Sequence, residues 1–238
     1  MNILVTGASG NLGQAVAQQF LSEGHYVYGT MKPGKHNAKL ETHAQFERIE
    51  VDLIEEGPLA KFLQSLPTPI EAGIFTVGGF AMGALDDTSL ESLEKMIQLN
   101  LYTAFVSTKA VFHHMREHSV KGRLVLVSSR PGLDPKHGAA MLPYTLSKAA
   151  IPPLADILNA EGEKHEIITT VVAPSTIDTP INRQAMPQAD FSKWVTPAEI
   201  AEVIYFTTLG KGRILREPIL KLYGNAKLSG TSQISGEA

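Results

Sequence analysis

The sequence predicts an α/β domain built on a doubly wound parallel sheet. Three observations carry that expectation. Short apolar runs alternate with helix-periodic stretches along the whole chain. The central runs, such as Leu-Val-Leu-Val at 124–127, are apolar at every position, as strands covered by helices on both faces must be. The first run stops directly at a turn rich in glycine.

Each element has its own reason. Asn2 to Thr6 is too short for a helix and meets Gly7-Ala8-Ser9-Gly10, so it reads as a buried strand. Leu12, Ala15, Val16, Gln19 and Phe20 then recur near helical spacing. Tyr26 to Thr30 is a second strand, broken by Lys32-Pro33-Gly34-Lys35. Phe46 to Leu53 reads as a third strand, Pro58 to Leu66 as a helix, and Ile70 to Val77 as a fourth strand before Gly78-Gly79. Thr88-Ser89-Leu90-Glu91 has the capping-box pattern and opens a long helix to about His118. Arg123 to Ser129 is the fifth strand, Pro143 to about Glu161 a helix, and Glu166 to Ala173 the sixth strand. Pro152-Pro153 lack N–H donors, so a kink is expected just after Lys148. Thr196-Pro197-Ala198-Glu199 is a second capping box with Pro at the first helical position, and Ile214 to Leu222 reads as a last strand. With no repeat or linker, residues 1–226 are expected to form one domain. It carries an irregular flap at about 179–195, and 227–238 follow as a Ser- and Gly-rich tail.

Composition narrows the chemistry. The chain has 238 residues, a formal charge of −3 and no cysteine. Zero cysteine excludes a disulfide scaffold, a thiolate metal centre and a thiol nucleophile. The mild charge gives no basic footprint for nucleic acid. No apolar run approaches the roughly 18 residues of a membrane span. Structural sequence from Asn2 leaves no place for a signal peptide, so a cytoplasmic protein is expected.

Chemistry begins at the first strand-to-helix junction, Thr6-Gly7-Ala8-Ser9-Gly10-Asn11-Leu12-Gly13. Its glycines allow a sharp turn and close approach of a pyrophosphate, and the helix N-terminus offers free N–H groups. Gly7, Ser9, Asn11, Leu12 and Gly13 are therefore candidate cofactor contacts. The bland alternative is a plain tight turn. A ribose-binding acid is expected about 20 residues on. The second strand instead ends in Thr30-Met31-Lys32, with Lys35 close behind. A neutral Met31 followed by Lys32 suits a 2′-phosphate, so NADP (NADPH) is expected over NAD. Otherwise the two lysines are simply solvated loop residues.

Tyr144 and Lys148 are four apart on a predicted helix and share a face. A nearby cation favours phenolate, which suits a tyrosine acting as a general acid. Such a pair arises by chance often enough to decide little alone. Ser129 adds weight, because it ends the fifth strand, and ligands of parallel sheets bind at the carboxyl ends of strands.

Taken together, these motifs resemble those of the short-chain dehydrogenase/reductase family over nearly the full length. The shared elements, in order, are Thr6-Gly7 to Gly13, Asp52-Leu53, Gly78-Gly79, Asn100, Ser129, Tyr144 with Lys148, and Pro174 with Thr179-Pro180. The resemblance implies a Rossmann fold, a homodimer or homotetramer, and hydride transfer between a nicotinamide cofactor and a small carbonyl or alcohol. It implies that Tyr144 donates the proton, Ser129 holds the carbonyl oxygen, and Asn100 positions a water. Lys148 would bind the nicotinamide ribose and lower the Tyr144 pKa. Asp52 and Leu53, Val77 and Gly78, and Pro174, Ile177 and Thr179 would contact the cofactor. Departures are Asn11 where the main branch has Gly, Phe75-Thr76-Val77 in place of an Asn-rich stretch, and Pro174-Ser175 in place of Pro-Gly. Pro152-Pro153 also fall in a helix that normally helps form a subunit interface.

A narrower resemblance is to the dihydropteridine reductase branch. It rests on Val77-Gly78-Gly79-Phe80, Asp178 to Arg183, Met186-Pro187 and Ala189 to Trp194. Unlike that branch, the chain has both Ser129 and Asn100, so pterin reduction stands as the alternative substrate reading. A catalytically silent NADP-binding sensor is the rival from another class. It has no need of a proton donor. His113, His114 and His118 are expected to be structural, with no metal site. Arg183 either caps local structure or meets a substrate anion, and Phe191 and Trp194 either pack the flap or close over substrate.

Overall fold

The computed structural model describes residues 1–216 and 218–226. The expected tail at 227–238 lies outside them. Seven strands form one parallel sheet: β1 Asn2–Thr6, β2 Tyr26–Met31, β3 Phe46–Glu50, β4 Ala72–Phe75, β5 Arg123–Val127, β6 Ile168–Pro174 and β7 Ile219–Leu222. Their spatial order is β3-β2-β1-β4-β5-β6-β7. β1 pairs with β2 on one side and β4 on the other, so the winding reverses there and a crevice opens at their carboxyl ends. Register aligns Thr6 with Phe75 and Val127 with Val172, which brings four strand ends to one edge.

Helices cover both faces. α1 (Asn11–Ser22), α2 (Ala38–Glu41), α3 (Pro58–Gln64), α4 (Leu90–Ile97), α5 (Thr103–Glu117), α6 (Arg130–Leu133), α7 (Leu142–Ala149), α8 (Ile151–Gly162), α9 (Pro180–Ala185) and α10 (Pro197–Thr208) follow in chain order. Side chains alternate along a strand, so β1 feeds two cores. Ile3 and Val5 join Val16 and Phe20 of α1 and Ile200 and Ile204 of α10. Leu4 joins Leu59 and Leu63 of α3 and Phe112 and Met115 of α5 on the other face. Burying such chains contributes about 1.5–3 kcal/mol each.

Several expectations are corrected locally. The long helix from Leu90 is interrupted by a wide π turn at Gln98–Tyr102. Its cap is Ser89, whose Oγ accepts from Ser92 N at 3.1 Å, while Thr88 donates to Ala84 O, so the first capping box does not form. The second does: Thr196 and Glu199 exchange both hydrogen bonds. The kink expected after Lys148 is a break at Ala150, which puts Pro152 and Pro153 in the first turn of α8, where N–H groups are dispensable. β3 stops at Glu50, and the last strand starts only at Ile219, because Gly210–Ile214 coils into a tight turn.

Candidate active site

The glycine turn follows β1 and is tied to the end of β2. Gly7 N donates to Thr30 Oγ1 at 3.2 Å and Ala8 N to Thr30 O at 3.0 Å. Gly7 has φ +70°, a conformation that favours glycine. A Cβ on Gly13 would collide with the Gly7 carbonyl and lie 2.8 Å from Thr76 Oγ1, so this glycine lets α1 press onto the turn. Gly10 is exposed, and α1 starts with no side-chain cap, which leaves its first-turn N–H groups without a side-chain acceptor. An exposed glycine backbone leading into an uncapped helix end fits a pyrophosphate. Ser9 and Asn11 are exposed beside it, and Leu12 is half-buried.

Met31, the last residue of β2, is 1% exposed and belongs to the core. Lys32 is exposed, with Nζ 3.8 Å from Asp52 Oδ2. Asp52 Oδ1 also accepts from Ile54 N at 3.1 Å, and Leu53 is buried. Asn37, which the sequence reading missed, reaches back across the turn and donates to Ala8 O at 3.3 Å and Gln14 Oε1 at 2.9 Å. Its partners are distant in sequence, so no local pattern marks it.

The second half of the site is built on β5 and α7. Ser129 lies two residues past β5 and caps α6, its Oγ accepting from Gly132 N at 3.2 Å. Tyr144 and Lys148 lie one turn apart on α7. Burial pushes the Tyr144 phenol up, and a hydrogen bond with Ser129 counters it. The Lys148 ammonium donates to Val127 O, 2.9 Å away. Lys148 is 5% exposed, and burial lowers its pKa to about 8. Ser128 Oγ donates to Lys148 O at 2.9 Å, locking the helix against the strand end.

Asn100 lies in the π turn and is buried. Its Oδ1 accepts from Gly79 N at 2.9 Å, and its Nδ2 donates to Gly79 O at 3.1 Å and Ser147 Oγ at 2.9 Å. The side chain therefore braces the loop after β4. Ser147 passes the link on, donating to Tyr144 O at 2.7 Å. A Cβ on Gly78 would lie 2.6 Å from Asn100 Oδ1 and 3.1 Å from Lys148 Nζ, so Gly78 is where this loop meets both groups. Val77 stands over Gly7, its Cγ2 2.9 Å from a Cβ placed there. Phe80 packs edge-on against Tyr144, with centroids 5.0 Å apart.

The expected flap is clamped at its base. Asp178 N donates to Val195 O at 2.8 Å and Val195 N to Thr176 O at 3.1 Å, pairing Ile177 with Val195. Pro174 ends β6, and Thr179 caps α9 by accepting from Asn182 N at 3.2 Å. Arg183 bonds Asp178 at 2.5 and 2.7 Å and lies over the Phe191 ring at 4.7 Å. Phe191 and Trp194 pack on each other within the flap. His114 is structural: its Nε2 accepts from Ile70 N at 3.1 Å. Among the described residues no cluster could hold a metal, and no helix is long and apolar enough to cross a membrane.

The arrangement sets a hydroxyl, a phenol and an ammonium at the strand edge that also carries the glycine turn. Two chains of similar sequence match over nearly their full length. Acetoacetyl-CoA reductase of Acinetobacter sp. is 26% identical, over 93% of this chain and 95% of its own length. Dihydropteridine reductase of Dictyostelium discoideum is 28% identical, over 96% of each. A crystal structure of a short chain dehydrogenase/reductase family oxidoreductase from Burkholderia thailandensis matches with TM-score 0.81 at 23% identity, covering 94% of this chain and 91% of that one, and shares the fold. The family model for short chain dehydrogenase matches residues 1–190, and the chain belongs to that family of oxidoreductases.

Proposed function

We propose that this chain transfers a hydride between NADPH, in preference to NADH, and a small carbonyl or alcohol substrate, with Tyr144 as the proton donor and acceptor. The observation that carries the reading is the Ser129–Tyr144 hydrogen bond at the strand edge shared with the glycine turn. When bound, the nicotinamide supplies or accepts the hydride. In the reducing direction the carbonyl carbon gains that hydride and its oxygen takes the Tyr144 proton. Ser129 holds the oxygen in place for that transfer. Lys148, with its lowered pKa, sits within one helical turn of the phenol and can leave Val127 O for a ribose hydroxyl. Gly7, Ser9, Asn11, Leu12 and Gly13 hold the pyrophosphate; Asp52, Leu53, Val77, Gly78, Pro174, Ile177 and Thr179 line the rest of the cofactor path. Lys32, with no carboxylate at Met31, supports the choice of NADPH. Exposed Tyr102, Phe105 and Ile157 on and beside α5 and α8 support self-association as a homodimer or homotetramer.

Pterin reduction is the second substrate reading, favoured by the full-length match to a dihydropteridine reductase. One experiment separates the possibilities. Absorbance of NADPH is followed with a panel of aldehydes, ketones and a quinonoid pterin. Turnover of carbonyls supports the first reading, turnover of the pterin alone supports the second, and cofactor binding without turnover supports a sensor.

A further inference from the structure

The loop after β4 is gripped at two points. Asn100 holds Gly79 through two hydrogen bonds of 2.9 and 3.1 Å. At Gly83, the N–H donates to Ala140 O at 2.9 Å and the carbonyl accepts from Leu142 N at 2.8 Å. Between these clamps stands Phe80, 57% exposed, its ring edge-on to Tyr144 at 5.0 Å and 64°. The ring also borders a cavity of about 340 Å³ that it shares with Met96, Leu99, Glu91 and Lys95 of the next helix region. Met82 and Leu85 continue the loop as exposed apolar side chains.

An exposed phenyl ring on a backbone held at both sides is preorganised rather than adaptable. It touches the side chain that must hydrogen-bond the reacting oxygen. A group bonded to that same carbonyl carbon therefore comes within reach of Phe80. We propose that Phe80 is a specificity-determining residue that selects substrates carrying an aryl or π-conjugated group on the reacting carbonyl. This rests on the hydride-transfer reading above. Aromatic pairs gain stabilisation beyond simple area burial, so an aryl group is favoured over a saturated ring of similar volume.

The test is a cycle of two substrates and two proteins. The ratio of kcat/KM for benzaldehyde to that for cyclohexanecarbaldehyde is measured with NADPH for wild type and Phe80→Leu, so that intrinsic reactivity cancels. Leu keeps apolar bulk without a π face. The ratio is expected to fall by about threefold to tenfold in the variant. An unchanged ratio overturns the proposal, and so does an equal loss on both aldehydes, which would mean that the ring only positions Tyr144. If wild type reduces neither aldehyde, the wider panel above judges the hydride-transfer reading. Calorimetric titration of benzamide and cyclohexanecarboxamide in the presence of NADP⁺ then decides the Phe80 assignment separately. A benzamide preference lost in Phe80→Leu upholds it, and no such preference overturns it.

Discussion

The ammonium of Lys148 donates to the main-chain carbonyl of Val127 across 2.9 Å, tying α7 to the carboxyl end of β5. The same burial lowers its pKa from 10.5 to about 8. Below pH 8 the folded chain carries a buried charge, disfavoured by about 3 kcal/mol relative to free lysine. As pH rises from about 8 toward 10.5, the folded lysine is neutral while the unfolded one still binds a proton, so stability rises. Lys148→Met lacks this term. The stability of wild type relative to Lys148→Met should therefore rise between pH 8 and 9.5 in urea unfolding. A constant difference across that range contradicts the assignment.

Tyr144→Phe removes the hydroxyl that hydrogen-bonds Ser129 while keeping the ring's packing against Phe80. Turnover should fall by about a hundredfold to ten-thousandfold. NADPH affinity, read by quenching of protein fluorescence, should stay close to wild type. Retained turnover removes Tyr144 from the mechanism.

Asn100→Ala leaves Gly79 N–H and C=O without their partner and deprives Ser147 of a donor. The expected loss is about 2–4 kcal/mol of stability, measured by urea unfolding. Because the same bonds hold the loop that carries Phe80, kcat should drop as well, even where the variant is fully folded. A variant as stable as wild type would show that the brace is dispensable.

Lys32→Glu places a carboxylate beside Asp52, which Lys32 now approaches at 3.8 Å. Two negative charges there should repel a 2′-phosphate. kcat/KM with NADPH should fall by about tenfold or more, while that with NADH changes by less than about threefold. Equal losses with both cofactors would show that Lys32 does not read the 2′ position.

Local sequence by itself determined the order of strands and helices, the glycine turn, the Thr196 capping box and the placing of Tyr144 four residues before Lys148. Each depends on neighbours within a few positions, where apolar period, caps and turn residues act directly. It overran at Thr88 and Gln98, because Ser89 competes for the same cap and the apolar pattern runs straight through the π turn. What the chain folded in three dimensions decided was where long-range partners pull individual side chains. Asn100 braces Gly79, Asn37 closes on Ala8, and Met31 enters the core. Lys148 donates to Val127 O, and a Ser129 hydrogen bond opposes the rise in the Tyr144 pKa. These outcomes depend on burial and on hydrogen bonds between segments far apart in the chain, and desolvation is a property of the packed interior that no local pattern encodes.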